Sequence, residues 1–150
     1  FFILVDAHFK WVDIYHTKGC SSQDVIGCLR HSFSTFGLLV SIVSDNGPCT
    51  KFHDFKGFVK SCGIRLIQLT AVYKPSTNGL AEKMVQTFKK SLQSSSEPIE
   101  FIIDKFLINY RTTPHTSTGV SPAELTFDRK MRSRLDLLWP TEPIAAKVTD

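Results

Sequence analysis

Ser44-Asp45-Asn46-Gly47-Pro48 and Tyr73-Lys74-Pro75-Ser76-Thr77-Asn78-Gly79-Leu80-Ala81-Glu82-Lys83 bracket the stretch whose reading decides the fold. Leu38 to Val43 is an apolar run that reads as a buried strand, and Asn46-Gly47-Pro48 turns the backbone out of the sheet just after Asp45. A carboxylate is thereby placed at the carboxyl edge of a strand. Downstream, Ala81, Met84, Val85, Phe88 and Leu92 recur at helical spacing, while Pro75 to Gly79 is expected to stay outside the helix interior. Glu82, Gln86, Lys89 and Gln93 then share a polar stripe beside the apolar one, with Lys83 next to them. One acid at a strand end, and a second acid with a lysine on a neighbouring helix, suit a divalent ion beside a phosphate.

Outward from this stretch, the chain alternates strands and helices. Phe1 to Val5 is a continuous apolar run ending at Asp6, and Trp11 to Tyr15 alternates as its hairpin partner across Ala7-His8-Phe9-Lys10. Ser21 or Ser22 caps a helix whose stripe is Val25, Ile26, Leu29, Phe33 and Phe36, and Gly37 stops it. A short helix is predicted from Phe52 to Cys62, and a last strand from Ile64 to Leu69. Thr70 to Gly79 reads as a mobile polar segment. Helices follow from Glu82 to about Ser94, from Ile99 to Arg111, and from Ala123 to Phe127, the last with Ser121 as cap and Pro122 at its first position. This order predicts an α/β class, with a mixed central sheet flanked by helices.

The chain has 150 residues, 42% of them hydrophobic, which is enough for one core. We assign residues 1–138 to that core and 139–150, where periodicity is lost, to an extended tail or linker. No apolar run approaches the roughly 18 residues of a membrane span, so no membrane partner is expected and the expected location is nuclear or cytoplasmic. The first residue is not Met and a strand begins at once, which reads as a piece cut from something longer. Cys20, Cys28, Cys49 and Cys62 show no Cys-x-x-Cys spacing and are expected to be reduced thiols, not a zinc site. The net charge of +4 is uneven: Lys83, Lys89 and Lys90 mark one helix, and Arg129, Lys130, Arg132 and Arg134 form a second cluster. Such clustering is compatible with a polyanion partner, although solvated basic faces give the same pattern.

Two carboxylates in this arrangement fit Mg²⁺ (or Mn²⁺), which takes a few hard oxygens and leaves positions for water and phosphate. Phosphodiester chemistry is the natural use. Lys89, Lys83 and Gln86 would contact DNA phosphates, and Tyr73 and Asn78 would meet a strand end splayed from its partner. Asp-Asn-Gly is also simply a turn signal, and a glutamate near a helix start also complements the helix dipole.

The motifs taken together are more specific than any one of them. Ser44-Asp45-Asn46-Gly47-Pro48, Tyr73-x-Pro75-x-x-Asn78-Gly79-x-Ala81-Glu82, Val85-Gln86-Thr87-Phe88-Lys89, Asn109-Tyr110-Arg111-Thr112-Thr113-Pro114-His115 and Thr118-Gly119-x-Ser121-Pro122-Ala123-Glu124-Leu125, with Arg129-Lys130, resemble the integrase core of gypsy-type long-terminal-repeat retrotransposons. The resemblance runs from about Phe2 to Leu138. It implies an RNase H-like fold and a polynucleotidyl transferase that trims element DNA ends and joins their 3′ hydroxyls to double-stranded target DNA. It implies that Asp45 and Glu82 are the second and third acids of an Asp-Asp-Glu triad, that Lys89 approaches the terminal phosphate, and that Tyr73 and Asn78 belong to a flexible active-site loop. Self-association into a homo-oligomer is implied in the same way, and a small-molecule substrate is not.

In this family the leading aspartate lies on the strand before the hairpin, whereas Val5-Asp6-Ala7 matches the strand after it. The resemblance therefore implies that Asp6 has no metal role, that the first ligand is missing, and that the isolated chain binds Mg²⁺ and transfers strands poorly. Thirty-six residues separate Asp45 from Glu82, one more than is usual in the family, and Cys49-Thr50, Val72 and Lys74 replace customary residues. A second reading is a catalytically inactive or host-adopted integrase-like module kept for nucleic-acid binding or assembly. A third, an RNase H-like nuclease acting on hybrids, leaves the Asn109 to Leu125 motifs unexplained.

Overall fold

A computed structural model describes residues 1–45, 47, 50, 53–69 and 76–138, with the side chains of 45, 68, 69, 76–78 and 80 outside that description. Its elements, in order, are β1 (Phe2–Val5), β2 (Val12–Tyr15), α1 (Ser22–Phe36), β3 (Ser41–Asp45), α2 (His53–Ser61), β4 (Arg65–Leu69), α3 (Ser76–Gln93), α4 (Ile99–Thr112), α5 (Pro122–Phe127) and a 3₁₀ turn (Leu135–Leu137). The tail assigned to 139–150 lies outside the described residues.

The mixed strand directions expected from the sequence are present, divided between two pairs. β1 runs antiparallel to β2, with Phe2 opposite Tyr15 and Val5 opposite Val12. β3 runs parallel to β4, with Ser41 opposite Arg65 and Asp45 opposite Leu69. Among the described residues no ladder joins the pairs, yet they share one layer. Phe2 and Leu4 of β1 and Ile42 of β3 pack into a single cluster with Val25, Ile26 and Leu29 of α1 and Phe55 and Val59 of α2. On the other face Ile3, Val5, Val12 and Ile14 meet Met84 and Phe88 of α3 and Ile103 and Leu107 of α4. The alternation of β1, even positions toward α1 and odd toward α3, is the period-2 rule applied to a strand with helices on both sides.

Local chemistry sets the boundaries. Ser21 accepts from the Asp24 amide while Asp24 accepts from the Ser21 amide, a reciprocal cap that starts α1. Ser121 and Glu124 repeat the device at α5, with Pro122 just inside. Both carboxyls are held below their ordinary pKa by the serine hydroxyl first and the serine amide second. α1 ends at Gly37, whose φ of 81° is left-handed backbone that a side chain would strain. Asp6 is a hairpin residue: its Oδ1 accepts from the amides of His8 (2.8 Å) and Phe9 (2.5 Å), and Lys10 closes the turn at φ 61°.

Three expectations change. β3 begins at Ser41, not Leu38, and Leu38 and Val40 are 62% and 82% exposed. α3 begins at Ser76, so Asn78 and Gly79 are helical, because amides of a first helical turn need no partner inside the helix and Ser, Thr and Asn are acceptable there. Cys20 is disulfide-bonded, whereas Cys28 and Cys62 are free. Spacing rules detect only cysteines close in sequence, and this bond left no such mark.

Candidate active site

Asp45 is the last residue of β3, and beyond it Thr50 donates its amide to the Gly47 carbonyl at 3.2 Å. α3 packs against both β3 and β1. Glu82 lies in the second turn of that helix, on a solvent-facing stripe with Gln86 and Lys89, while Met84 and Phe88 are buried on the opposite side. Lys83 is exposed on the flank of the stripe. The fold thus brings the helix carrying Glu82 and Lys89 onto the strand that ends in Asp45. Tyr73 lies outside the described residues, as do the side chains of Asp45 and Asn78. Among the described residues no three metal-ligating side chains cluster. The donor chemistry still fits a hard divalent cation: two carboxylates, one at a strand end and one on a solvent-facing stripe that leaves room for water and phosphate oxygens.

A polar network that the sequence did not announce stands behind β2. Arg111, in the last turn of α4, donates from Nε (3.2 Å) and Nη2 (2.8 Å) to the Val12 carbonyl and from Nη2 to Asp13 Oδ1 at 2.6 Å. The Arg111 and Asp13 side chains are 19% and 15% exposed, and the guanidinium carbon lies 4.1 Å from the centre of the Trp11 ring, whose Nε1 also donates to Asp13. Burial pulls the Arg111 pKa down, with Asp13 opposing it, so the charge is retained by its partner. Neighbouring Tyr15 is pushed up to about 12, by burial first and Asp13 second.

That shift has a checkable consequence. A phenol whose folded pKa lies above its value of 10.0 in the open chain stabilises the fold fully below that pH and loses the contribution as pH rises through about 12. Tyrosinate absorbance is expected to show one of the three tyrosines ionising near 12, and Tyr15→Phe should remove that step. All three titrating near 10 would contradict the burial.

Comparison with known proteins supplies the remaining observation. No family model matches the chain. It is 37% identical over 146 residues to an uncharacterized protein of Caenorhabditis elegans, covering 95% of this chain and 11% of that protein. It is 30% identical over 134 residues to the Gag-Pol polyprotein of avian reticuloendotheliosis virus, covering 85% of this chain and 11% of the polyprotein. The chain therefore spans about a tenth of the length of these curated relatives. Among solved structures, the HTLV-2 integrase catalytic core domain in complex with magnesium, in a trimeric form, superposes at a TM-score of 0.68 with 21% identity, over 82% of this chain and 81% of that one. The chain is similar to a segment of a retroelement Gag-Pol polyprotein, and its fold is that of the retroviral integrase catalytic cores. That is the RNase H-like fold that the motifs implied.

Within that fold Asp6 stands away from the Asp45 edge. Trp11, which closes the same hairpin, touches Phe36, the last residue of α1, only five positions before β3 begins. The hairpin is therefore at the end of the layer where β3 starts, and Asp45 is at the end where it stops.

Proposed function

We propose that this chain is a retroelement integrase core, a polynucleotidyl transferase that trims element DNA ends and joins their 3′ hydroxyls to double-stranded target DNA. The observation that carries the reading is the packing of α3 on β3, which brings the helix that carries Glu82 and Lys89 to the strand ending in Asp45. Asp45 and Glu82 would hold Mg²⁺ or Mn²⁺, which when bound supplies Lewis-acid stabilisation of the phosphoryl oxygens. Lys89, about two turns along from Glu82 on the same stripe, neutralises the phosphate of the DNA end. Lys83 and Gln86 fix the register of the backbone without reading sequence. Tyr73 and Asn78 guide the splayed strand end as it approaches.

A third carboxylate would complete the set, supplied by an extended segment pairing along the edges of β1 and β3, between which no ladder forms among the described residues. Without it, the isolated chain would transfer strands weakly. Residues 1–138 form the working unit, which assembles as a homo-oligomer on DNA ends in the nucleus or cytoplasm. Among the described residues no helix is long and apolar enough to cross a membrane.

A joining assay with labelled element-end duplex tests the reading. Mg²⁺-dependent product should disappear in both Asp45→Asn and Glu82→Gln, while Lys89→Ala should weaken end binding before it touches the acids. Product formation indifferent to both acid variants favours the second reading, a module that binds or assembles without catalysis.

A further inference from the structure

We propose a second nucleic-acid site at the pole opposite Asp45: an aromatic and arginine platform that takes single-stranded nucleic acid by stacking its bases. Trp11 is the hub. Phe127 meets it edge-on with centroids 5.2 Å apart and planes at 86°, Phe36 meets it at 5.7 Å and 65°, and Arg111 covers one face at 4.1 Å. Arg129 stands 5.9 Å from the centre of the Phe127 ring. Phe36 and Phe127 are nevertheless 39% and 42% exposed, so parts of both rings face solvent. Beside them a cavity of about 300 Å³ opens between Trp11, Phe36, Thr35, His31, Tyr15 and Arg111.

Charge selects the occupant. Arg129, Lys130, Arg132 and Arg134 are exposed, and none forms an ion pair with a carboxylate among the described residues. Four acids lie nearby: Asp13 is paired with Arg111, Glu124 and Asp136 are hydrogen-bonded by the amides and hydroxyls of Ser121 and Ser133 and lie within electrostatic reach of Lys130, and Asp128 is exposed, so the four clustered cations are only partly offset. Partly exposed rings beside clustered cations match a chain that offers flat bases and phosphates together. A duplex keeps its bases stacked inside and offers only phosphates, and an acidic peptide meets the cations without using the rings. β3 separates this pole from Asp45 by about 13 Å of strand, so the platform is distinct from the transfer edge and does not rest on the proposed chemistry.

Fluorescence anisotropy of the full chain with a labelled oligothymidine single strand, and with a duplex of equal length, tests the site. Phe127→Ala is expected to weaken single-strand binding about tenfold, since stacking on one aromatic is worth about that much per base, while duplex binding changes less than about twofold. Phe127→Leu keeps an apolar contact with Trp11 and is expected to show the same loss, which separates stacking from folding. Arg129→Gln with Lys130→Gln should weaken both ligands and lower the salt dependence by about one to two counterions. Unchanged single-strand affinity in Phe127→Leu, or equal losses for duplex and single strand, would overturn the proposal. So would an acidic peptide that binds as tightly as the oligothymidine and loses affinity equally in both phenylalanine variants.

Discussion

Arg111→Ala is expected to destabilise the core by about 3 kcal/mol, near the lower end of what removing one partner of a buried ion pair costs. Three losses coincide. The Val12 carbonyl loses two donors, Asp13 is left as a partly buried carboxylate without its cation, and the Trp11 face loses its cation. At this chain length the change amounts to a fall of roughly 6–12 °C in melting temperature. Arg111→Lys should recover only part of it, because an ammonium keeps the charge but not the planar fork. Combining Arg111→Met with Asp13→Asn should recover more than Arg111→Met alone, because the orphaned charge goes too. A fall below about 0.5 kcal/mol for Arg111→Ala, which is the range of an ordinary surface change, would show that the network is not structural.

Supplying the chain with an extended, β-branched segment that carries an aspartate is expected to raise Mg²⁺-dependent joining by at least about a hundredfold. Partners of metal ligands one shell out already cost ten- to a hundredfold when removed, and a direct carboxylate should cost no less. The same segment with asparagine in place of aspartate should restore pairing without activity. Amide hydrogen exchange would then show β1 and β3 protected in both cases. Protection without any gain from the aspartate would place the third ligand elsewhere, and no protection would mean that the edges are not what the segment pairs with.

What the sequence made legible was local. The hairpin, α1 and α5 carry their signals within a few residues: Asp6 for a turn, Ser21 with Asp24 and Ser121 with Glu124 for caps. Strand length was harder to read, since Leu38 and Val40 are as apolar as Ile42 yet the ladder opens only where Ser41 meets Arg65. Hydrophobicity marks a strand candidate, and a partner makes it a strand. The start of α3 was set late because Pro, Ser, Thr, Asn and Gly read as loop, although a first helical turn tolerates all of them. Nothing local in the sequence marks the role of Arg111, because its partners Val12 and Asp13 lie ninety-nine and ninety-eight positions away. A nearly buried arginine in a last helical turn is itself the signal that a search for a distant carboxylate should follow.

The proposed chemistry depends on Asp45 and Glu82 jointly holding one divalent ion, and calorimetric Mn²⁺ titration of the wild-type chain, Asp45→Asn, Glu82→Gln and the double variant measures that directly. We expect saturable binding that weakens about ten- to a hundredfold in either single variant, with the double variant losing less than the sum of the two. Mn²⁺ affinity equal in all four proteins, or two losses that simply add, would contradict a shared site.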